Sequence, residues 1–146
     1  MISVKMKHLL FVCMGLLLAL SYAGCSDDDS SQDSTLLCKT WLLVSYGNES
    51  NEVLKEANGY YHIMTFNLDG TYSVDTDLNK GGGRYTCNGN RITISSPKVT
   101  QIYWEGSDPD HFFLNHIDDV YSYVVTSTEL RLYYSDNEYF KFRIKK

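Results

Sequence analysis

The fold of this chain is decided by the stretch Thr40-Trp41-Leu42-Leu43-Val44-Ser45-Tyr46. Aromatic and β-branched residues favour strands, and Gly47-Asn48 directly after the stretch is a turn signal. The pattern therefore predicts a β-strand followed by a turn. Because Trp41 lies in the middle of this strand among apolar neighbours, we expect its indole to be buried in the core of the domain.

The rest of the chain repeats this pattern of short strands and turns. Apolar or alternating runs predict strands at residues 60–67, 71–75, 84–87, 91–94, 99–104, 120–126, 129–134 and 139–144. Asn88-Gly89-Asn90 joins two of them, and Asn-Gly supplies the positive φ that a tight hairpin turn needs. Gly81-Gly82-Gly83 predicts a flexible hairpin end. The short links require neighbouring strands to be antiparallel.

Two segments depart from the strand pattern. Residues 110–119 predict a helix, because Phe113, Leu114 and Ile117 share one helical face. Residues 49–58 contain good helix formers but are few, so both a helix and a loop are open. Together the elements predict a mainly β fold, a small antiparallel β-barrel or strongly curved sheet of about eight strands with one short packed helix.

The N-terminus has the layout of a secretory signal peptide. Lys5 and Lys7 precede an apolar run at residues 9–20, which is too short to span a bilayer as a helix. Small residues then lead to Cys25, and this arrangement resembles the lipobox of bacterial lipoproteins, in which the cysteine becomes the acylated first residue. The alternative is an ordinary signal peptide that leaves Cys25 as a plain thiol.

An acidic spacer follows this cysteine. Residues 26–33 contain no apolar side chain and cannot fold. The start Cys25-Ser26-Asp27-Asp28-Asp29 resembles the export signal that places lipoproteins of one Gram-negative phylum on the outer face of the outer membrane. The alternative is a linker that only keeps the domain off the bilayer. We predict a signal peptide at residues 1–24, a lipidated tether at 25–35, and one β domain at 36–146 anchored to the cell outer membrane.

Charge and cysteine content narrow the choice of partners and covalent links. The chain has a formal net charge of −5, which disfavours nucleic acid as a partner. Cys38 and Cys87 remain once Cys25 is lipidated, in a compartment that permits disulfides. They either form a disulfide or stay as two separate buried thiols, and the sequence leaves both possibilities open.

Several short motifs recur in an order that is known from one family. They lie at residues 37–45, 66–70, 83–85, 89–94, 113–114, 120–125 and 130–133. In this order they resemble META-type domains, best known from a heat-shock lipoprotein, whose first strand has the form Leu-x-Gly-Thr-Trp-x-Leu. Lys39 replaces the glycine, and Asp77-Leu78-Asn79 replaces the family's Gly-Cys-Asn, so that cysteine is missing. Lipocalin-like barrels that hold a small ligand are the nearest alternative.

No arrangement of residues in the sequence points to catalysis or to a metal. His111 and His116 are five apart on the predicted helix and do not share a face, while His62 lies within a predicted strand. Four aspartates lie around the helix, Asp108, Asp110, Asp118 and Asp119. They lack the glycine-punctuated spacing of a calcium-binding loop. We therefore expect no enzymatic activity, no cofactor and no metal site.

Aromatic residues make up 14% of the chain and are the feature best suited to binding. Most tyrosines are expected in the core and rim of the strands. Tyr103 and Trp104 adjoin a polar loop at residues 105–109, and we predict them as an exposed ligand contact. Two function classes remain: a non-catalytic surface lipoprotein that contacts envelope proteins or serves stress tolerance, and a small-ligand or glycan-binding carrier.

Overall fold

Strand β1 (Thr40–Asn48) is the strand that the sequence predicts around its tryptophan, and it pairs with three others. The structure is a computed structural model that describes residues 35–54, 62–100 and 109–146. A helical turn at residues 35–37 precedes β1. The further elements are β2 (Asn51–Leu54), β3 (His62–Phe66), β4 (Thr71–Thr76), β5 (Lys80–Asn88), β6 (Arg91–Ile94), β7 (Lys98–Val99), α1 (Pro109–His116), β8 (Ser122–Val125), β9 (Glu129–Tyr133) and β10 (Tyr139–Ile144).

Eight of the described strands form a closed ring. Hydrogen-bonded neighbours follow the order β10-β9-β8-β6-β5-β4-β3-β1, and β10 also pairs with β1. Strand β2 adds to one side of β1 and β7 pairs with β5, which brings the described sheet to ten strands. The described pairings are antiparallel. The predicted small antiparallel barrel with a short helix is therefore confirmed.

The antiparallel order gives the barrel two distinct ends. The β3–β4, β5–β6 and β8–β9 turns lie at one end together with residues 35–37, and we call it the tether end because the predicted tether leads into it. The β1–β2, β4–β5 and β9–β10 turns lie at the other. Helix α1 connects β7 to β8 at this second end, which we call the helix end.

Alternate side chains of the strands point inward and fill the barrel. At the tether end the indole Nε1 of Trp41 donates a hydrogen bond of 2.8 Å to the backbone oxygen of Leu37. At the helix end Phe113 of α1 packs edge-on against Phe140 with ring centroids 5.1 Å apart. The largest fully buried side chains are Trp41, Phe66, Phe113, Phe140, Phe142, Leu37, Leu43, Met64, Ile117, Leu130 and Leu132. The predicted burial of the tryptophan is confirmed.

The prediction of a flexible hairpin end at Gly81-Gly82-Gly83 is wrong. All three residues lie within β5 and pair with β4. A Cβ at Gly82 would overlap the backbone oxygen of Tyr72, and one at Gly81 would overlap that of Lys98. The glycines therefore allow the backbones of β4 and β7 to approach β5 closely, and they are there for packing rather than for flexibility.

Replacing Gly82 with alanine is expected to lower the free energy of unfolding by roughly 1 to 3 kcal/mol, because the added methyl group forces the β4 and β5 backbones apart. Urea unfolding of the two proteins measures this difference. Thr86→Ala is the matched control, since Thr86 is an exposed residue of the same strand. Equal unfolding midpoints for the Gly82 variant and the control would contradict the close approach.

One other prediction is wrong in the type of element, and one lies largely outside the described residues. Within the segment for which a helix or a loop was open, residues 51–54 form β2, and residues 55–58 lie outside the described part. The strand predicted at residues 99–104 is described only at its beginning, as β7 (Lys98–Val99). Strand β2 is a short strand at the border of the sheet, where few residues carry the alternating pattern.

Candidate functional site

A polar cleft of about 580 Å³ lies on the helix end of the barrel. The first wall is the β1–β2 hairpin and the second is the β9–β10 turn with the strand ends that flank it. The described lining residues are amides, carboxylates, one serine and two tyrosines, Asn48, Glu49, Ser50, Asn51, Tyr133, Asp136, Asn137 and Tyr139. The volume is within the range of about 300 to 1,000 Å³ that small-molecule sites have.

Strand register brings the two walls of the cleft together. Tyr139 of β10 lies opposite Gly47 on one side and opposite Tyr133 on the other. Gly47 in turn lies opposite Glu52 of β2. The first and last strands of the barrel therefore carry the cleft, and closure of the ring is what creates it.

The β1–β2 turn is held in one conformation by its own sequence. Gly47 has a φ of 115°, and a Cβ there would overlap the backbone oxygen of Asn51. The side-chain oxygen of Asn48 accepts hydrogen bonds from the backbone N–H groups of Ser50 at 3.0 Å and Asn51 at 2.9 Å. These hydrogen bonds from a side chain to the backbone hold the turn in one conformation. This wall of the cleft is therefore already formed, and little conformational entropy is lost when a ligand binds.

Aromatic and cationic groups support the second wall. The rings of Tyr133 and Tyr139 meet at an angle of 64° with centroids 5.5 Å apart. The guanidinium carbon of Arg131 lies 5.0 Å from the centroid of the Tyr139 ring. Tyr139 is only 4% exposed, whereas Tyr133 is half-buried. Of these two tyrosines, Tyr133 is therefore the more accessible.

The described cations beside the cleft form ion pairs with carboxylates. Arg131 Nε lies 2.8 Å from a carboxylate oxygen of Glu129, and its Nη1 lies 3.8 Å from one of Glu49. Lys141 Nζ lies 3.4 Å from a carboxylate oxygen of Glu52. The pKa of Glu52 is lowered because Ser45 donates a hydrogen bond to its carboxylate and because Lys141 lies nearby.

The two cysteines of the domain lie near the tether end as free thiols. The Tyr85 hydroxyl donates to the backbone oxygen of Asn67 at 2.7 Å, so the thiol of Cys38 is the donor to that hydroxyl at 3.3 Å. Burial raises the pKa of the Cys87 thiol. Both thiols are half-buried and separate in this structure. The disulfide between Cys38 and Cys87 stays a prediction.

Alkylation of Cys87 is expected to follow a pH profile displaced upward from that of the unfolded chain. The thiolate is the nucleophile, and a raised pKa leaves less of it at any pH below that value. Iodoacetamide labelling of a Cys25→Ser, Cys38→Ser variant, read by mass spectrometry with and without urea, measures both profiles. A folded-state profile that coincides with the unfolded one, or lies below it, would contradict the burial of this thiol.

The remaining sequence candidates fall in different places. Cys25, Tyr103 and Trp104 lie outside the described residues. His62 is buried with its ring edge-on to Phe113 at 5.6 Å. His116 approaches the Phe112 backbone oxygen to 2.8 Å through Nδ1 and stacks on the Phe112 ring.

Sequence reasoning missed the cleft because its two walls are far apart in the chain. The signal that was available is the pair of turns rich in asparagine and aspartate that follow tyrosine-bearing strands, at residues 48–51 and 135–137. Among the described residues, no group of three His, Cys, Asp or Glu side chains could hold a metal ion. Within the same residues, no helix is long and apolar enough to cross a membrane.

Comparison with known proteins agrees with the barrel. A crystal structure of a DUF4847 family protein from Bacteroides vulgatus superimposes with a TM-score of 0.62 at 17% identity, over 79% of this chain and 98% of that one. The NMR structure of a protein from Burkholderia xenovorans gives a TM-score of 0.58 at 16% identity, over 79% and 88%. No curated protein matches the sequence. The family model for the META domain matches residues 34–146, and the chain therefore belongs to the META domain family.

Proposed function

We propose that this protein is a non-catalytic interaction module, held on the outer surface of the outer membrane by a lipid on Cys25. Its META domain contacts other envelope components through its outer surface. The second candidate is a carrier that binds a small ligand or a glycan. Such a carrier would bind its ligand inside the barrel or on an aromatic face. The interior distinguishes the two candidates, because a lipocalin-type carrier encloses its ligand inside the barrel and an interaction module does not.

The filled interior is the observation that carries the proposal. Trp41 and Leu132 are fully buried, and Phe66 and Ile92 are each only 2% exposed. These side chains belong to one hydrophobic cluster that runs through the barrel. An enclosed site for a small apolar molecule needs a cavity of several hundred Å³. Among the residues that the structure describes, buried side chains occupy the interior, which favours contact through the outer surface.

The proposal includes the absence of catalytic activity. It is supported by the packing of two histidines and by the low reactivity of one thiol. His62 and His116 pack against phenylalanine rings, and a raised pKa keeps the Cys87 thiol protonated at neutral pH. The polar cleft offers amides, hydroxyls and exposed carboxylates, which are groups that bind a ligand by hydrogen bonds. This composition supports recognition rather than bond cleavage.

Titration with apolar ligands tests the proposal against the carrier. The mature chain with Cys25→Ser is mixed with a fluorescent fatty acid and, separately, with indole. We expect no saturable binding at one ligand per protein. The matched control is Trp41→Ala in the same chain, because removal of the indole leaves an apolar cavity that can accept small aromatic molecules.

The outcome that would overturn the proposal is stoichiometric binding of the fatty acid by the parent chain. Binding inside the barrel would also shift the NMR signals of Trp41 and Leu132, which lie in the interior. The carrier would then be the better description of the function.

A further inference from the structure

We propose that the polar cleft at the helix end is a binding site for a neutral saccharide. The cleft is the one lined by Asn48, Tyr133 and Asn137 together with their neighbours in the two turns. This inference rests on the proposed surface-contact function and deepens it by naming the class of ligand.

The hydrogen-bonding groups of the lining match the needs of sugar hydroxyls. A hydroxyl group is both a donor and an acceptor, so a sugar requires both kinds of partner side by side. The amides of Asn51 and Asn137 each offer both, and the carboxylates of Glu49 and Asp136 accept. The side-chain oxygen of Asn48 already accepts two backbone hydrogen bonds within the β1–β2 turn. We therefore assign Asn48 to holding this wall of the cleft in position.

The charge of the cleft selects against anionic ligands. Glu49 and Asp136 are the charged residues among the described lining, and both are negative. Among the described residues, the cations beside the cleft, Arg131 and Lys141, already pair with carboxylates. At the described lining, a phosphate, a sulfated sugar or a uronic acid would meet the negative charges of the two carboxylates. A neutral ligand avoids this repulsion.

An aromatic face completes the site. Sugar rings present C–H faces that pack on aromatic rings, and Tyr133 is a half-buried tyrosine of the lining. The ring of Tyr133 packs against the ring of Tyr139, and the guanidinium group of Arg131 lies over the Tyr139 ring. The platform is therefore fixed before a ligand arrives, and less affinity is lost in ordering it.

The position of the cleft leaves it accessible to saccharides at the cell surface. Residues 35–37 lie at the tether end, and the cleft lies at the helix end. With the lipid on Cys25, the barrel presents the cleft on the side away from the point at which the tether joins the domain. The attachment of the tether therefore does not cover the cleft.

Titration followed by NMR tests the site directly. The probes are hexasaccharides of glucose, xylose, mannose and N-acetylglucosamine, with hexagalacturonate as the anionic probe and spermidine as the cationic one. The protein is the mature chain with Cys25→Ser. We expect at least one neutral hexasaccharide to shift the amide signals of residues 48–51 and 133–139, and hexagalacturonate and spermidine to leave them in place.

Variants separate the cleft from the rest of the surface. Tyr133→Ala and Asn137→Ala are each expected to weaken saccharide binding about fivefold or more, the loss of a single stacking or hydrogen-bonding contact. Tyr133→Phe retains the ring and is expected to bind within about twofold of the parent. Asn90→Ala is the matched control, because Asn90 is an exposed asparagine in a turn at the tether end.

Three results would overturn the inference. They are no shift with any of the neutral hexasaccharides, shifts that map outside the cleft, and equal or stronger binding of the anionic or the cationic probe. These failures leave the proposed surface-contact function standing, since that proposal is tested separately by apolar ligands that would enter the barrel. The two proposals can therefore be rejected separately.

Discussion

Replacing Trp41 with alanine is expected to lower the free energy of unfolding by about 3 to 5 kcal/mol. The indole is fully buried in β1, which is bonded to β3 on one side and to β10 on the other. Its Nε1 also donates to the backbone oxygen of Leu37. The substitution thus removes a large apolar volume and leaves that oxygen without the indole donor.

Urea unfolding monitored by far-ultraviolet circular dichroism measures this effect. Trp41→Phe tests the two causes separately, because it restores most of the apolar volume and lacks the hydrogen bond. It is expected to cost less than the alanine variant. Val124→Ala serves as a surface control, since Val124 is 53% exposed, and is expected to change stability by less than about 1 kcal/mol. A similarly small effect at Trp41 would contradict its place at the centre of the core.

Local patterns in the sequence were sufficient to predict most of the barrel. The aromatic run around Trp41 forms β1, and the Asn-Gly turn at residues 88–90 joins β5 to β6 as expected. Gly89 has the positive φ of 58° that this turn requires. Phe113 and Ile117, which share one face of the predicted helix, are both buried. These features depend on neighbours in the chain, which is why the pattern of residues reveals them.

Features that depend on distant residues could not be predicted in the same way. The role of Gly82 depends on the backbone of Tyr72, and only the register of β4 with β5 brings the two together. The cleft has a similar origin, because Gly47 and Tyr139 become neighbours only when β10 closes the ring against β1. Whether the interior is filled also depends on side chains from all eight strands of the ring packing together. A strand pattern specifies which side chains point inward but not how completely they fill the space.

Replacing Cys25 with serine is expected to move the protein from the membrane fraction to the soluble fraction. The prediction rests on the resemblance of residues 22–25 to a lipobox and on the acidic spacer that follows. Each buried methylene of an acyl chain contributes about 0.8 kcal/mol to membrane binding, and two or more chains make attachment stable. Serine has no thiol to acylate, so the whole of this contribution is lost.

Cell fractionation and protease treatment of intact cells measure attachment and surface exposure together. Ser26→Ala is the matched control, because it changes the next residue and keeps the thiol, and it is expected to stay in the membrane fraction. Replacing Asp27, Asp28 and Asp29 with alanine retains the anchor but removes the acidic signal, and is expected to reduce protease access in intact cells. If the Cys25→Ser protein remains in the membrane fraction as fully as the parent, the lipid anchor is wrong. The proposed position of the cleft at the cell surface would then lose its basis, because that position follows from the lipid anchor.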